Sequence, residues 1–333
     1  MRRRRLAAVL AAMSGAIALG WAGWAAERSV ARRLRAEEAE IVDAGLTFPD
    51  DVVNHFITVS DGARLHVVEA GEGPTVVLVH GVTLAASVFA AVMRRTERSM
   101  RLIAVDLRGH GASVGGDAGY AFDRQAKDLA ELLDALDVRD AVLVGHSMGG
   151  MIAQVLMGPM RELVGDRIGS LILLDTSTGP LSASRSGRRT AAMLQAVVQR
   201  GLRRSARRGA GVYPGEDAAT WLTRASFGRQ AAPAQVELAR SLTQAMSPVV
   251  LAEILEPLMS FDGAAMLSQI EVPTAVIVGS RDLLTPPRQA RRLHAGIAGS
   301  SILIFDDVGH VPMLECPDQL CAALSLAVHH ASR

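Results

Sequence analysis

Cysteine is nearly missing from this chain of 333 residues, which contains only Cys316 and Cys321. Two cysteines cannot build a disulfide framework or a four-ligand zinc site. Because they are five residues apart in a predicted helix, they face different sides, and a bridge between them is unfavourable. We therefore expect both to be small buried side chains without a chemical role.

Lysine and net charge are also scarce, since Lys127 is the one lysine and the formal net charge is +1. This balance gives no argument for binding nucleic acid. Apolar residues make up 49% of the chain, which is enough to bury a core and argues against disorder. No group of residues has metal-ligand spacing, and no glycine loop has the phosphate-binding fingerprint. We predict neither a metal nor a cofactor.

Charge is absent from residues 6–26, which follow a block of arginines at 2–5. The run is about as long as a bilayer core is thick, and Trp21 and Trp24 lie near its far end. We predict an N-terminal membrane helix there, followed by a charged helix and linker over 27–54. Arginines on both sides leave its orientation open. The alternatives are a cleaved signal of a secreted protein and an Ala-rich helix packed on a cytoplasmic domain.

Strand-like apolar runs alternate with helical patterns in the rest of the chain. A hairpin signal around Asp61-Gly62 comes first. The continuous apolar runs that follow are 75–79, 102–105, 141–144, 171–174, 274–278 and 302–305. Runs that are apolar on both faces are typical of central strands, and alternation with helices predicts a parallel sheet with right-handed crossovers.

The alternation stops over residues 177–262, where the pattern is helical and the start is rich in arginine. We interpret this stretch as a helical cap inserted over the carboxyl edge of the sheet, so that the core consists of 55–176 and 263–333. The arginines of 185–208 have no acidic residue among them. They form either a solvated face or, alternatively, a contact for anionic lipid or an anionic substrate.

The turn after residue 144 carries the strongest chemical signal. It reads Gly145-His146-Ser147-Met148-Gly149, between an apolar run and a stretch with helical spacing. A serine on a strained strand-to-helix turn needs small neighbours two residues away on either side, and both are glycines. Such a turn exposes the hydroxyl and aims the first amides of the helix at it. A glycine-rich turn with a surface serine has the same local pattern, so the motif depends on its context.

That context is a set of five short blocks in a fixed order. They are His80-Gly81, Asp106-Leu107-Arg108-Gly109-His110-Gly111-Ala112-Ser113, Gly145-His146-Ser147-Met148-Gly149-Gly150, Gly279-Ser280-Arg281-Asp282 and Gly309-His310-Val311-Pro312. Together they resemble the α/β-hydrolase fold family, in its cap-bearing serine-esterase-like branch, over roughly 55–330. The resemblance implies a mostly parallel eight-stranded sheet with helices on both faces and an inserted helical cap.

The resemblance also implies roles for residues far apart in the chain. A serine hydroxyl needs a base within hydrogen-bond reach, and the base needs a partner that fixes its tautomer. By resemblance, Ser147 is the nucleophile, His310 the base and Asp282 the orienting acid. Asp175 is a rival acid because it ends another strand. Asp306 and Asp307, which lie close to His310 in sequence, are rivals as well.

The remaining site residues follow from the same resemblance. The backbone amides of Val82 and Met148 are the expected oxyanion donors. His80, Gly81 and His146 are expected to border the substrate.

We therefore predict a serine hydrolase that cleaves a carboxylic ester or lipid-like substrate through an acyl-enzyme. The alternatives on the same serine arrangement are a C–C bond hydrolase, a cofactor-free peroxidase-like enzyme and an acyltransferase. A non-catalytic ligand-binding protein of the same fold is a further alternative. Neither the ester nor the oligomeric state follows from the sequence.

Overall fold

Eight strands form one sheet in the part of the chain that the structure describes. The computed structural model describes residue 40 and residues 44–179, 185–212 and 216–331. The strands are β1 (Val53–Thr58), β2 (Arg64–Ala70), β3 (Thr75–Val79), β4 (Arg101–Val105), β5 (Ala141–His146), β6 (Ile168–Leu174), β7 (Thr274–Gly279) and β8 (Ser301–Phe305). Their order in the sheet is β1-β2-β4-β3-β5-β6-β7-β8. Strand β2 is antiparallel to both neighbours, and all other pairs are parallel. The predicted mostly parallel eight-stranded sheet is confirmed.

Ten α-helices connect and cover these strands within the described residues. They are α1 (Ala90–Thr96), α2 (Phe122–Ala135), α3 (Met148–Met157), α4 (Arg185–Arg207), α5 (Glu216–Arg224), α6 (Pro233–Ala245), α7 (Pro248–Ser260), α8 (Pro287–Gly296), α9 (Pro312–Glu315) and α10 (Pro317–Ala331). Proline stands in the first turn of α6, α7, α8 and α9, where its missing N–H costs no helical hydrogen bond.

The central strands are apolar on both faces because helices cover both faces. Along β3, Val77 and Val79 join one core cluster, which includes side chains of α2, α3 and α8. Val76 and Leu78 join a second cluster, which includes side chains of α1 and α10. Each fully buried side chain of this kind contributes about 1.5–3 kcal/mol of transfer free energy. The sheet is thereby a packed platform for the loops at its edge.

Helices α4 to α7 interrupt the strand–helix alternation between β6 and β7. This is the inserted helical cap that the sequence predicts. Within it, the Gln199 side chain of α4 donates to the Ala252 carbonyl of α7 at 2.9 Å. Buried Leu251 and Ile254 of α7 belong to the same core cluster as the sheet, so the cap packs directly on the hydrolase-like core.

The prediction of a membrane-associated protein is corrected. Its basis, the apolar run over 6–26, lies outside the described residues, as does most of the helix expected over 27–54. Within the described residues, no helix combines the length and the apolar character that crossing a bilayer requires. A spanning α-helix needs about 20 mostly apolar residues. The structure therefore gives the membrane prediction no support.

The two cysteines are free and only partly buried on and beside α10. Burial raises the pKa of Cys316 to about 12 and that of Cys321 to about 11. Thiols that stay protonated are poor nucleophiles.

Candidate active site

Ser147 lies at the sharp turn between β5 and α3. Its φ of 51° is rare for a residue with a side chain, and such strain is held only where the surroundings fix it. A Cβ on Gly145 would lie 2.6 Å from the Gly150 Cα, and one on Gly149 would lie 2.5 Å from the Val79 oxygen. The turn therefore requires both glycines of the motif.

The imidazole of His310 lies between Ser147 and Asp282. Its Nε2 is 3.0 Å from the Ser147 Oγ, and its Nδ1 is 2.8 Å from the Asp282 Oδ2. His310 follows β8 and Asp282 follows β7, so the carboxyl ends of parallel strands bring the three residues to one edge. All three are buried. The Nδ1–H donates to the carboxylate, which leaves Nε2 free to accept the serine proton.

The Asp282 carboxylate is held by several donors besides His310. The Leu284 and Thr285 N–H groups donate to Oδ1 at 2.7 and 2.9 Å, and the Thr285 hydroxyl donates to Oδ2 at 2.5 Å. Burial opposes ionisation, but the charge of His310 and these hydrogen bonds outweigh it and hold the pKa of Asp282 well below its usual range. Asp282 is therefore a fixed anion beside the imidazole.

The rival acids occupy other positions. Asp306 accepts the Ser280 hydroxyl at 3.2 Å, and Asp307 accepts the Arg281 guanidinium at 2.5 Å. Asp175 is fully buried and accepts the Gly279 N–H at 2.9 Å. The carboxylate that accepts the hydrogen bond from His310 Nδ1 is therefore that of Asp282, not that of Asp175, Asp306 or Asp307.

Asp175 nevertheless stands close to the same pair. Side-chain ligand atoms of Asp175, Asp282 and His310 lie within 4.8 Å of one another, a spacing that a metal ion could also use. Burial and the charge of Asp282 raise the pKa of Asp175 well above its usual value. The raised pKa of Asp175 disfavours the anion that a divalent cation needs, and the Asp282 carboxylate already accepts the imidazole N–H at 2.8 Å.

The loop after β3 lies directly against Ser147. A Cβ on Gly81 would be only 2.8 Å from the Ser147 Cβ. His80 is fully buried beneath this loop, where its Nε2 accepts the Leu107 N–H at 3.0 Å and its Nδ1 donates to the Gly81 oxygen at 2.7 Å. Because a backbone N–H can only donate, the proton of His80 is on Nδ1. This fixed imidazole supports the loop that carries Val82.

His146 connects the turn of Ser147 to His310. Its Nε2 donates to the carbonyl oxygen of His310 at 2.7 Å. Burial, reinforced by the charge of His310, lowers the pKa of His146 to about 3, so the ring is neutral at ordinary pH. His146 therefore fixes the backbone of His310.

A cavity of about 440 Å³ opens above Ser147 between the core and the cap. From the core, its walls include Val82, His146, Met151 and His310. The cap supplies mostly apolar residues together with four hydroxyl side chains, namely Ser177, Gly179, Leu222, Thr223, Ser226, Phe227, Ala239, Thr243, Leu258 and Met259. Of the three residues expected to border the substrate, His146 lines this cavity. His80 and Gly81 are not among the described lining residues. Met148, the first residue of α3, is likewise not among them.

Sequence reasoning missed three residues that shape the site. Thr285 binds Asp282, Thr83 lies 3.1 Å from the cap residue Thr243 between hydroxyl oxygens, and Glu315 binds the loop of His310. A threonine three residues after an aspartate is a local signal that could have identified Thr285. The other two contacts join distant segments and leave no local pattern.

The fold and this geometry agree with comparisons to known proteins. A model described as the alpha/beta hydrolase family matches residues 76–323. The chain belongs to this family and is a hydrolytic enzyme.

Among similar proteins is the pimeloyl-[acyl-carrier protein] methyl ester esterase of Chromobacterium violaceum. It is 29% identical over 273 residues, which cover 79% of this chain and 97% of that protein. The AB hydrolase superfamily protein YisY of Bacillus subtilis is 27% identical over 261 residues, covering 78% and 92%. The structure of a thermophilic esterase from Thermogutta terrifontis has a TM-score of 0.70 at 26% identity, covering 85% of this chain and all of the other.

Proposed function

We propose that this protein hydrolyses carboxylic esters, with Ser147 as nucleophile, His310 as general base and Asp282 as the acid that orients the base. The observation that carries the proposal is the pair of contacts at 3.0 and 2.8 Å on opposite nitrogens of the His310 imidazole. A nucleophile within hydrogen-bond reach of a base that is itself oriented by a carboxylate is the arrangement of acyl transfer. The esterases among the relatives and structural neighbours support an ester as substrate.

The reaction follows in two halves. The Ser147 oxygen bonds to the ester carbonyl carbon as its proton passes to His310 Nε2. The carbon–oxygen bond to the alcohol then breaks, and His310 returns the proton to the departing alcohol. A water molecule attacks the acyl-enzyme with His310 as base again, which releases the acid and restores the serine. Asp282 stabilises the imidazolium that forms twice in this cycle.

The negative oxygen of each tetrahedral intermediate needs donors that are already in place. We assign this role to the N–H groups of Val82 and Met148. Met148 begins α3, whose N-terminal amides point toward the turn, and Val82 follows the glycine that contacts Ser147. Each such donor is typically worth about 10²–10³ in rate.

A serine substitution tests the proposal directly. Ser147→Ala should lower kcat for p-nitrophenyl butyrate by at least about 10⁴-fold, because no neighbouring group replaces the nucleophile. The variant should also fail to react with a fluorophosphonate probe that labels the wild type. Circular dichroism checks that it remains folded.

Ser325→Ala is the matched control, since Ser325 lies on α10 and bonds only locally to the Cys321 carbonyl. Its turnover and labelling should equal those of the wild type. Wild-type turnover in folded Ser147→Ala would show that another residue is the nucleophile and would end the proposal.

A further inference from the structure

The carboxylate of Glu315 holds the loop of His310 on both sides. Glu315 is the last residue of α9, and its Oε1 accepts the N–H groups of Gly309 at 2.9 Å and Val311 at 3.4 Å. Its Oε2 accepts the N–H of Gly228 in the cap at 2.6 Å. One side chain therefore binds the residues immediately before and after His310 and ties them to the cap.

The backbone of His310 makes two further hydrogen bonds, one to the cap and one to His146 at the end of β5. Its N–H donates to the Ser226 carbonyl of the cap at 2.6 Å. Its own carbonyl accepts the His146 Nε2–H at 2.7 Å. The position of the imidazole is thus set by the cap on one side and by the nucleophile strand on the other.

Cap and loop meet too closely to leave room for side chains at two positions. A Cβ on Gly228 would lie 2.0 Å from the carbonyl oxygen of Asp307, and a Cβ on Gly309 would lie 2.4 Å from that of Ser226. The contact is therefore one backbone against another. Because Glu315 binds the backbone N–H of Gly309, losing its carboxylate should shift the backbone of this loop, and with it His310, directly.

The charge of Glu315 is important for this contact. Burial raises the pKa of Glu315, whereas the N–H groups of Gly228, Gly309 and Val311 and the charge of Arg224 favour the ionised form. Hydrogen bonds to an ionised acceptor are roughly twice as strong as neutral ones. Only a carboxylate can accept on both oxygens, because an amide would present a donor to one of these N–H groups.

We propose that Glu315 is a positioning residue whose carboxylate fixes the base loop against the cap and so keeps the imidazole of His310 within reach of Ser147. The inference rests on the roles proposed above for Ser147 and His310. Glu315 is not among the described residues that line the cavity, so its loss should lower kcat and leave KM nearly unchanged. Misplacing reacting groups by about 1 Å can cost about 10²-fold in rate.

Glu315→Gln tests this role in the full-length protein. We expect kcat for p-nitrophenyl butyrate to fall by about 10- to 100-fold with KM within about three-fold of the wild type. The low-field proton NMR signal of the His310–Asp282 hydrogen bond should shift or broaden. Glu271→Gln is the control, because the Glu271 side chain is 74% exposed and pairs only loosely with Arg161 at 3.6 Å. Both readouts should match the wild type in the control.

Two results would overturn the inference. One is a folded Glu315→Gln variant with kcat within about three-fold of the wild type, and the other is an unchanged low-field signal. Should the glutamine variant not fold, Glu315→Asp, which keeps the charge but shortens the reach, is judged by the same two criteria. A wild type that does not hydrolyse esters would refute the proposed function instead, and the NMR comparison would still decide the role of Glu315.

Discussion

The contacts of Arg108 predict how much stability the protein should lose when this side chain is replaced. The side chain is fully buried, and its guanidinium donates to Asp128 at 2.6 and 2.7 Å and to Asp61 at 3.0 and 3.1 Å. A fifth bond reaches the Gly119 carbonyl at 2.6 Å. Arg108→Met keeps a similar volume but removes the cation that both carboxylates share, while Asp128 retains its contact with Arg124 at 2.9 Å. Removing one partner of a buried ion pair costs about 3–5 kcal/mol.

Urea unfolding followed by circular dichroism measures this loss. Arg139→Met is the control, because Arg139 and its partner Asp137 are 63% and 80% exposed and such pairs contribute about 1 kcal/mol or less. A loss for Arg108→Met below about 1 kcal/mol, or one no larger than that of the control, would refute the reasoning that burial makes this pair costly to break.

The same substitution should also change how the free energy of unfolding depends on pH. The hydrogen bond from Arg108 is the main cause that lowers the pKa of Asp61 from 3.8 to about 2. A carboxyl whose pKa falls on folding stabilises the protein above its unfolded pKa. That contribution is lost as the pH falls from 3.8 toward about 2. In Arg108→Met this acid-dependent loss should shrink, and a slope equal to that of the wild type would contradict the assignment.

Two further substitutions test the proposed oxyanion loop through kcat and KM for p-nitrophenyl butyrate. Gly81→Ala should lower kcat by about 10²–10³-fold, because the new Cβ would lie 2.8 Å from the Ser147 Cβ and displace the Val82 N–H. A variant with wild-type kcat would exclude the Val82 N–H as an oxyanion donor. Thr243→Val removes the contact to Thr83, whose φ of 63° is unusual for a β-branched residue, and should lower kcat by about ten-fold through the adjoining loop. A fall in kcat accompanied by a loss of thermal stability would indicate a packing effect, and a rise in KM alone would indicate a binding effect.

The sheet and the place of the candidate site could be predicted because they follow from local patterns. Apolar runs predict buried parallel strands, and parallel strands bring their carboxyl ends to one edge. Ser147, Asp282 and His310 each follow such a run, so their meeting required no knowledge of the loops between them. The need for glycine at 145 and 149 could also be predicted, because the backbone approaches these positions too closely for a side chain.

The contacts between cap and core could not be predicted in this way. Glu315 and Gly228 are 87 residues apart in sequence, and Thr83 and Thr243 are 160 apart. Neither pair belongs to a periodic pattern, because each depends on how the inserted helices settle on the sheet. The membrane prediction failed for another reason. It rested on the length and composition of one segment, 6–26, with no second signal from the part of the chain that the structure describes.

The absence of side chains at Gly228 and Gly309 limits how this enzyme can be re-engineered. Exchanging caps between relatives is a natural way to alter substrate choice, since the cap supplies much of the cavity wall. A donor cap with any larger residue at position 228 would push against the carbonyl of Asp307 and displace His310, the proposed base. A cap exchange should therefore keep the recipient's own residues 226–228 together with its loop 307–310.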